Sequence, residues 1–185
     1  MLASNITSYE DLTDDHRSHV EIISNTLYRH KTLELTYTTY DMQEDKDTLY
    51  QRKSPDIMVH SDDQEHPYLY GRVLDLFHID VKNRGPDSLL PNGETAILPL
   101  AWIRWFRLDT SLEPCGFSSL RYPMVSFYES HEADAFGLIH PDEIIRSAHL
   151  IPHFRSGLTG EYLNVRSRGR PVSEDMDWKH FNINM

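Results

Sequence analysis

The sequence predicts one mainly β domain over residues 30–155, a small bent antiparallel sheet or partly open barrel. Three observations predict it. Two long apolar and aromatic runs, residues 68–81 and 101–109, flank a connection rich in Gly, Pro and Asn, and the second run is dense in Trp and Arg. Residues 32–40 alternate strictly, with Leu33, Leu35, Tyr37 and Thr39 on one side and Thr32, Glu34, Thr36, Thr38 and Tyr40 on the other. That period of two marks a half-buried strand. Short β-prone runs recur between turn signals, as in small curved sheets.

Taken in order, residues 1–17 are polar and acidic and read as a loose leader. Residues 20–28 fit either a short helix or a strand. After the strand at 32–40, residues 41–54 form a charged connection ended by Pro55, and 56–60 a short strand. Residues 61–67 turn, because paired Asp residues and Pro67 favour turn geometry. The run 68–81 is the longest strand, and Gly71 within it implies a bulge or a close backbone approach. Gly85-Pro86 and Pro91-Asn92-Gly93 make 82–93 a long hairpin loop. Its partner strand, 95–108, carries Pro99, which suits an edge or a bulge. Residues 111–116 are a loop, and 124–128 and 136–139 are short strands. Residues 140–146 read as a helix of one or two turns, with Pro141 at its first position and Asp142 and Glu143 at the positive end of its dipole. A last strand follows at 149–152. The expected organisation is therefore an acidic leader at 1–29, the β-rich domain at 30–155, and a polar C-terminal extension at 156–185 that looks truncated.

Composition narrows the function. The 185 residues are 39% apolar and 25% charged, with a formal net charge of -11. Residues 1–65 hold fourteen acidic against six basic side chains, a local balance of -8. That excess opposes a general electrostatic grip on phosphate, which needs clustered Lys and Arg. Cys115 is the one cysteine, so neither an internal disulfide nor a thiolate zinc site can form. Apolar runs are too short for the roughly 20 residues of a membrane helix, and the N-terminus lacks a secretory pattern. An intracellular protein of the nucleus or cytoplasm is expected, without membrane contact or small-molecule cofactor.

Several clusters invite chemistry. His16 and His19 stand three apart near Asp14 and Asp15, but zinc needs three or four convergent ligands. His78, His149 and His153 read as strand-face or structural imidazoles. Paired carboxylates (Asp62/Asp63, Asp142/Glu143, Glu174/Asp175) fall in turns or at a helix start, where they are usually solvated. No phosphate loop, nucleophile elbow or zincin helix occurs. The aromatic and Arg-rich strands carry more. Trp102 and Phe106 share a parity that opposes Trp105, so both faces of that strand bear a large ring. One face fills the interior, and the other is covered, packed on a partner or open as a recognition surface. Tyr70, Arg72, Trp102, Arg104, Trp105 and Arg107 are the candidate binding residues. Arg166, Arg168 and Arg170, spaced by Ser167 and Gly169, are the candidate nucleic-acid contacts.

The quoted segments also carry a resemblance. Pro55-Asp-Ile-Met-Val59, His66-Pro-Tyr-Leu-Tyr-Gly-Arg-Val73, Phe77-His-Ile-Asp-Val81 and Trp102-Ile-Arg-Trp-Phe106 are followed by a run from Phe136 to Arg146, then His149-Leu-Ile-Pro152 and a run from Asp177 to Met185. In that order, over residues 30–185, the chain resembles the C-terminal region of large fungal proteins associated with DNA transposons of the Plavaka and Kyakuja-Dileera-Zisupton type. Members of that family commonly continue into a basic, glycine-rich tail, which this chain is expected to lack. Their catalytic acidic residues lie upstream of the region matched. The Gly-Arg-Val strand, the Trp-Phe strand and the Pro-Asp-Glu-Ile turn also resemble bromo-adjacent-homology (BAH) domains, small SH3-like barrels that read chromatin or bind proteins. The resemblance implies a transposon-derived protein; the aromatic and Arg-rich strand and the lack of a catalytic constellation add the expectation of a non-catalytic accessory or binding module, contacting chromatin, DNA or another protein. The alternatives are a structural remnant without a ligand and a metal-dependent nuclease or hydrolase.

Overall fold

Alternating β-branched and aromatic residues give a chain of strands, and the helical elements among the described residues are short 3-10 turns. A computed structural model describes residues 19–50, 56–61, 66–84, 94–109, 123–163 and 175–184. The strands are β1 (Val20–His30), β2 (Thr32–Thr38), β3 (Glu44–Tyr50), β4 (Asp56–His60), β5 (Tyr68–Asn83), β6 (Ala96–Leu108) and β7 (Met124–Phe127). They continue with β8 (Phe136–Ile139), β9 (Ile144–Ser147), β10 (His149–Pro152), β11 (Leu158–Thr159), β12 (Asp177–Trp178) and β13 (Phe181–Asn184). The fold is mainly β, as expected, and its antiparallel sheets are not closed into a barrel. No helix among the described residues is long and apolar enough to cross a membrane.

The chain divides into two compact units, one from residues 1–28 and 77–99 and one from 29–76 and 100–185. In the first, β1 pairs with β5, the Arg84 amide donates to the His19 carbonyl at 2.9 Å, and the rings of Tyr28 and His78 stack at 4.8 Å. Ser24 and Asn25 take φ of 60° and 47°. These left-handed residues interrupt the extended backbone of β1, and its pairing with β5 makes the segment a strand rather than a helix.

In the second unit the strand order is β10-β13-β7-β6-β5-β4-β9. Seven flat strands at about 4.8 Å spacing would place the outer two roughly 29 Å apart. Yet β9 and β10 are separated in sequence by Ala148 alone, and two residues reach only about 7 Å. The sheet must therefore curl until its ends nearly meet. It stays open there: β9 is hydrogen-bonded to β4 and β10 to β13, and the strand order ends at these two.

The curled sheet is buried on both faces. One face gathers Ile57, Val59, Val73, Ile103 and Ile144, and the other Met58, Tyr70, Phe106, Val125, Phe127, Phe181 and Ile183. The β2–β3 hairpin covers the first face with Leu33, Leu35 and Leu49. Asp47 pins it there: its carboxylate accepts from the Ser147 amide at 3.1 Å and from the Ser147 hydroxyl. Asp47→Ala should cost about 1–2 kcal/mol in urea unfolding by leaving two donors without their acceptor. Asp47→Asn, which keeps one acceptor oxygen, should cost less.

Several expectations need correction. Residues 44–50 are a strand rather than a connection; pairing with β2 and burial of Leu49 override the poor β propensity of Glu44-Asp-Lys-Asp47. Residues 140–146 are a 3-10 turn, Pro141–Glu143, running into β9. His140 and Glu143 form a capping box, with the His140 amide donating to Glu143 at 2.9 Å, but β9 is claimed by β4 before a second turn can form. Parts of the segments assigned to polar ends are strands. β1 begins within 1–29, and β11, β12 and β13 lie within 156–185, where Phe181 and Ile183 are buried. Their period-two alternation sits in a segment whose average composition is polar.

Candidate functional site

β6 decides the fate of the predicted recognition residues. Phe106 and Arg104 face the aromatic cluster, while Ile103 and Trp105 face the aliphatic one under the hairpin. Ile103, Arg104 and Phe106 are buried, so the middle of β6 is core, while Trp102, Trp105 and Arg107 are partly exposed. Tyr70 is 1% exposed, and burial pushes its phenol up to about 12. Arg104 is wholly buried: its guanidinium grips Asp177 through two bonds of 3.1 and 2.9 Å and lies 3.5 Å from the centre of the Phe127 ring. Arg72 makes the same kind of paired contact with Asp56, at 2.7 and 3.0 Å, and sits within 5.7 Å of the rings of Phe106, Phe127 and Phe181. A guanidinium tolerates such burial because its fork matches a carboxylate and its flat face stacks on rings.

Tyr70, Arg72 and Arg104 are thus corrected from binding residues to interior supports. Trp105 lies against the main chain at Gly71 and Gly137, where a Cβ would come within 2.9 and 2.6 Å of its indole. Gly71 keeps regular pairing with Ile57, so of its two expected roles it serves the close approach. Trp102 is half-buried, 6.1 Å from Phe136. Arg107 remains accessible, 3.4 Å from Glu132 and 5.5 Å from the Tyr128 ring. Arg166, Arg168, Arg170, Cys115, His16, Asp62, Asp63 and Glu174 lie outside the described residues. His78 stacks on Tyr28, and His153 bonds Ser156 at 2.7 Å, both structural uses. Among the described residues, no three His, Cys, Asp or Glu side chains are grouped to hold a metal ion.

A different site comes from the pairing of β4 with β9. Met58 faces Arg146 and Val59 faces Ile144, leaving Ile145 as the extra residue of a bulge. Bulges re-aim side chains, and beside this one is an open cavity of about 390 Å³ lined by Val59, His60, Asp142, Glu143 and Ile145. Val59 and Ile145 give it apolar lining. Its polar lining is two carboxylates from the 3-10 turn and an imidazole from the end of β4. Glu143 is oriented by the His140 amide, whereas the Asp142 side chain is 91% exposed. The His60 ring is backed by Tyr68, its cross-strand partner, at 6.1 Å. Apolar lining together with carboxylates and a ring suits the long stem and positive tip of a lysine or arginine. Asp142 and Glu143 were legible as turn-start acids. Their meeting with His60 was not, because it depends on strand pairing and a bulge.

Fold and site together define a mainly β antiparallel unit with a small depression of acidic and apolar lining. Family models, curated proteins and solved structures give no match to this chain.

Proposed function

We propose that this chain is a non-catalytic binding module that takes a basic side chain of a partner protein into the cavity beside the β4–β9 bulge. The cavity carries the reading, since its lining has the chemistry a lysine or arginine needs. The resemblance of residues 30–185 to a transposon-associated region supports a place in a transposon-derived protein, and the BAH likeness supports chromatin as the source of the basic partner. DNA is the weaker choice, because the acidic lining and net charge of -11 repel phosphate.

The test is fluorescence anisotropy with a labelled 20-residue peptide rich in Lys and Arg, against a Glu-rich control peptide. Wild type should bind the basic peptide alone, and more weakly as salt rises. Asp142→Asn should weaken binding about three- to fivefold, as one lining charge would. With His60→Ala added, the loss should reach about tenfold, and thermal unfolding should barely move. Failure of the basic peptide to bind, or equal affinity for the double variant, overturns the reading.

A further inference from the structure

The tip of the β2–β3 hairpin departs from ordinary surface. Tyr40 and Met42 are 106% and 85% exposed, more than any other large apolar side chain among the described residues. They stand on a fixed turn. The Thr39 amide donates to the Gln43 carbonyl at 2.8 Å, the Met42 amide donates to the Thr39 carbonyl at 3.0 Å, and the Thr39 hydroxyl lies 2.9 Å from that Gln43 oxygen. Met42 holds φ at 62°, a conformation that Gly or Asn adopts more readily. Stability alone would favour a small polar residue there, and hydration would favour one at Tyr40.

The surrounding charge selects the occupant. Asp41, Glu44 and Asp45 flank the two residues in sequence, and no Lys or Arg occurs from residue 32 to 45. The Tyr37 hydroxyl donates to Asp45 at 3.3 Å, adding a second ring to the acidic strand end. A membrane rich in anionic lipid and a nucleic acid are both disfavoured by three carboxylates. A cationic chain is favoured by them and finds a ring face and a soft thioether beside them. We infer that the hairpin tip is a second docking point for a Lys/Arg-rich extended segment of a partner protein, with Tyr40 and Met42 as its apolar contacts. This rests on the reading of the chain as a module for basic polypeptide, but on different residues.

The same labelled peptide tests it. Tyr40→Ser with Met42→Asn removes both apolar contacts, while Asn keeps the left-handed turn. It should weaken binding about tenfold with unchanged thermal unfolding. A second variant, Glu44→Gln with Asp41→Asn, should flatten the salt dependence. If both tip variants bind as wild type while Asp142→Asn with His60→Ala weakens binding, the hairpin inference is overturned and the cavity reading stands. If the tip variants lose affinity and the cavity variant does not, the hairpin inference stands and the cavity reading falls. A wild-type chain that ignores the peptide overturns both.

Discussion

Asp177→Ala is expected to destabilise the protein by about 3–5 kcal/mol, the range for a buried pair that loses one partner. Its carboxylate is the double-bonded partner of Arg104, whose side chain is 1% exposed and lies against Phe127. Without Asp177, a guanidinium that always carries its charge would lose its counter-ion in an aromatic setting. Typical domains have only about 5–15 kcal/mol in total, so a large share of stability is at stake. The pair also joins residues 73 apart in sequence, fixing β12 relative to β6. Replacing both partners, as Arg104→Met with Asp177→Leu, should cost much less than either truncation, because no charge is then stranded. Urea unfolding of the three variants decides the matter. A loss below about 1 kcal/mol for Asp177→Ala would mean that the ion pair is not desolvated.

Much of the fold was legible because strands announce themselves locally. The limits of β4 and β8 match the sequence reading, β5 and β6 fall within two residues of it, and the inward side of β2 follows from Leu33, Leu35 and Tyr37. The opposed parity of Trp105 against Trp102 and Phe106 was also readable. What covers each side was not, since the lid on Ile103 comes from Leu35 and Leu49 and the counter-ion of Arg104 from β12. The sequence leaves Arg72 and Arg104 open between a basic patch and intramolecular pairs with Asp75 or Asp109; the actual partners, Asp56 and Asp177, are set by the arrangement of the strands. β3 was obscured by Glu44, Asp45, Lys46 and Asp47, whose run of charge mimics a loop. The cavity depends on a register shift, which leaves no local mark in the residues that line it.

Gly71→Ala should cost at least about 1–3 kcal/mol through overpacking, and its coupling to Trp105 separates two kinds of steric demand. The added methyl would stand 2.2 Å from the Ile103 Cγ2 and 2.9 Å from the Trp105 ring. Gly71 lies in ordinary paired strand, so left-handed freedom is not what keeps glycine there. Ile103 is fully buried, so its side chain has little room to yield. At Gly137 the methyl would meet Trp105 alone, at 2.6 Å from its Nε1, and a half-buried indole can shift toward solvent. Gly137→Ala should therefore cost less, about 1 kcal/mol. Trp105→Leu removes the ring that both glycines accommodate. On that background Gly137→Ala should become nearly neutral, whereas Gly71→Ala should keep most of its penalty because Ile103 remains. A double-mutant cycle in urea measures both couplings. Equal rescue at the two positions would show that Ile103 yields easily, and that Trp105 alone dictates glycine on either side of β6.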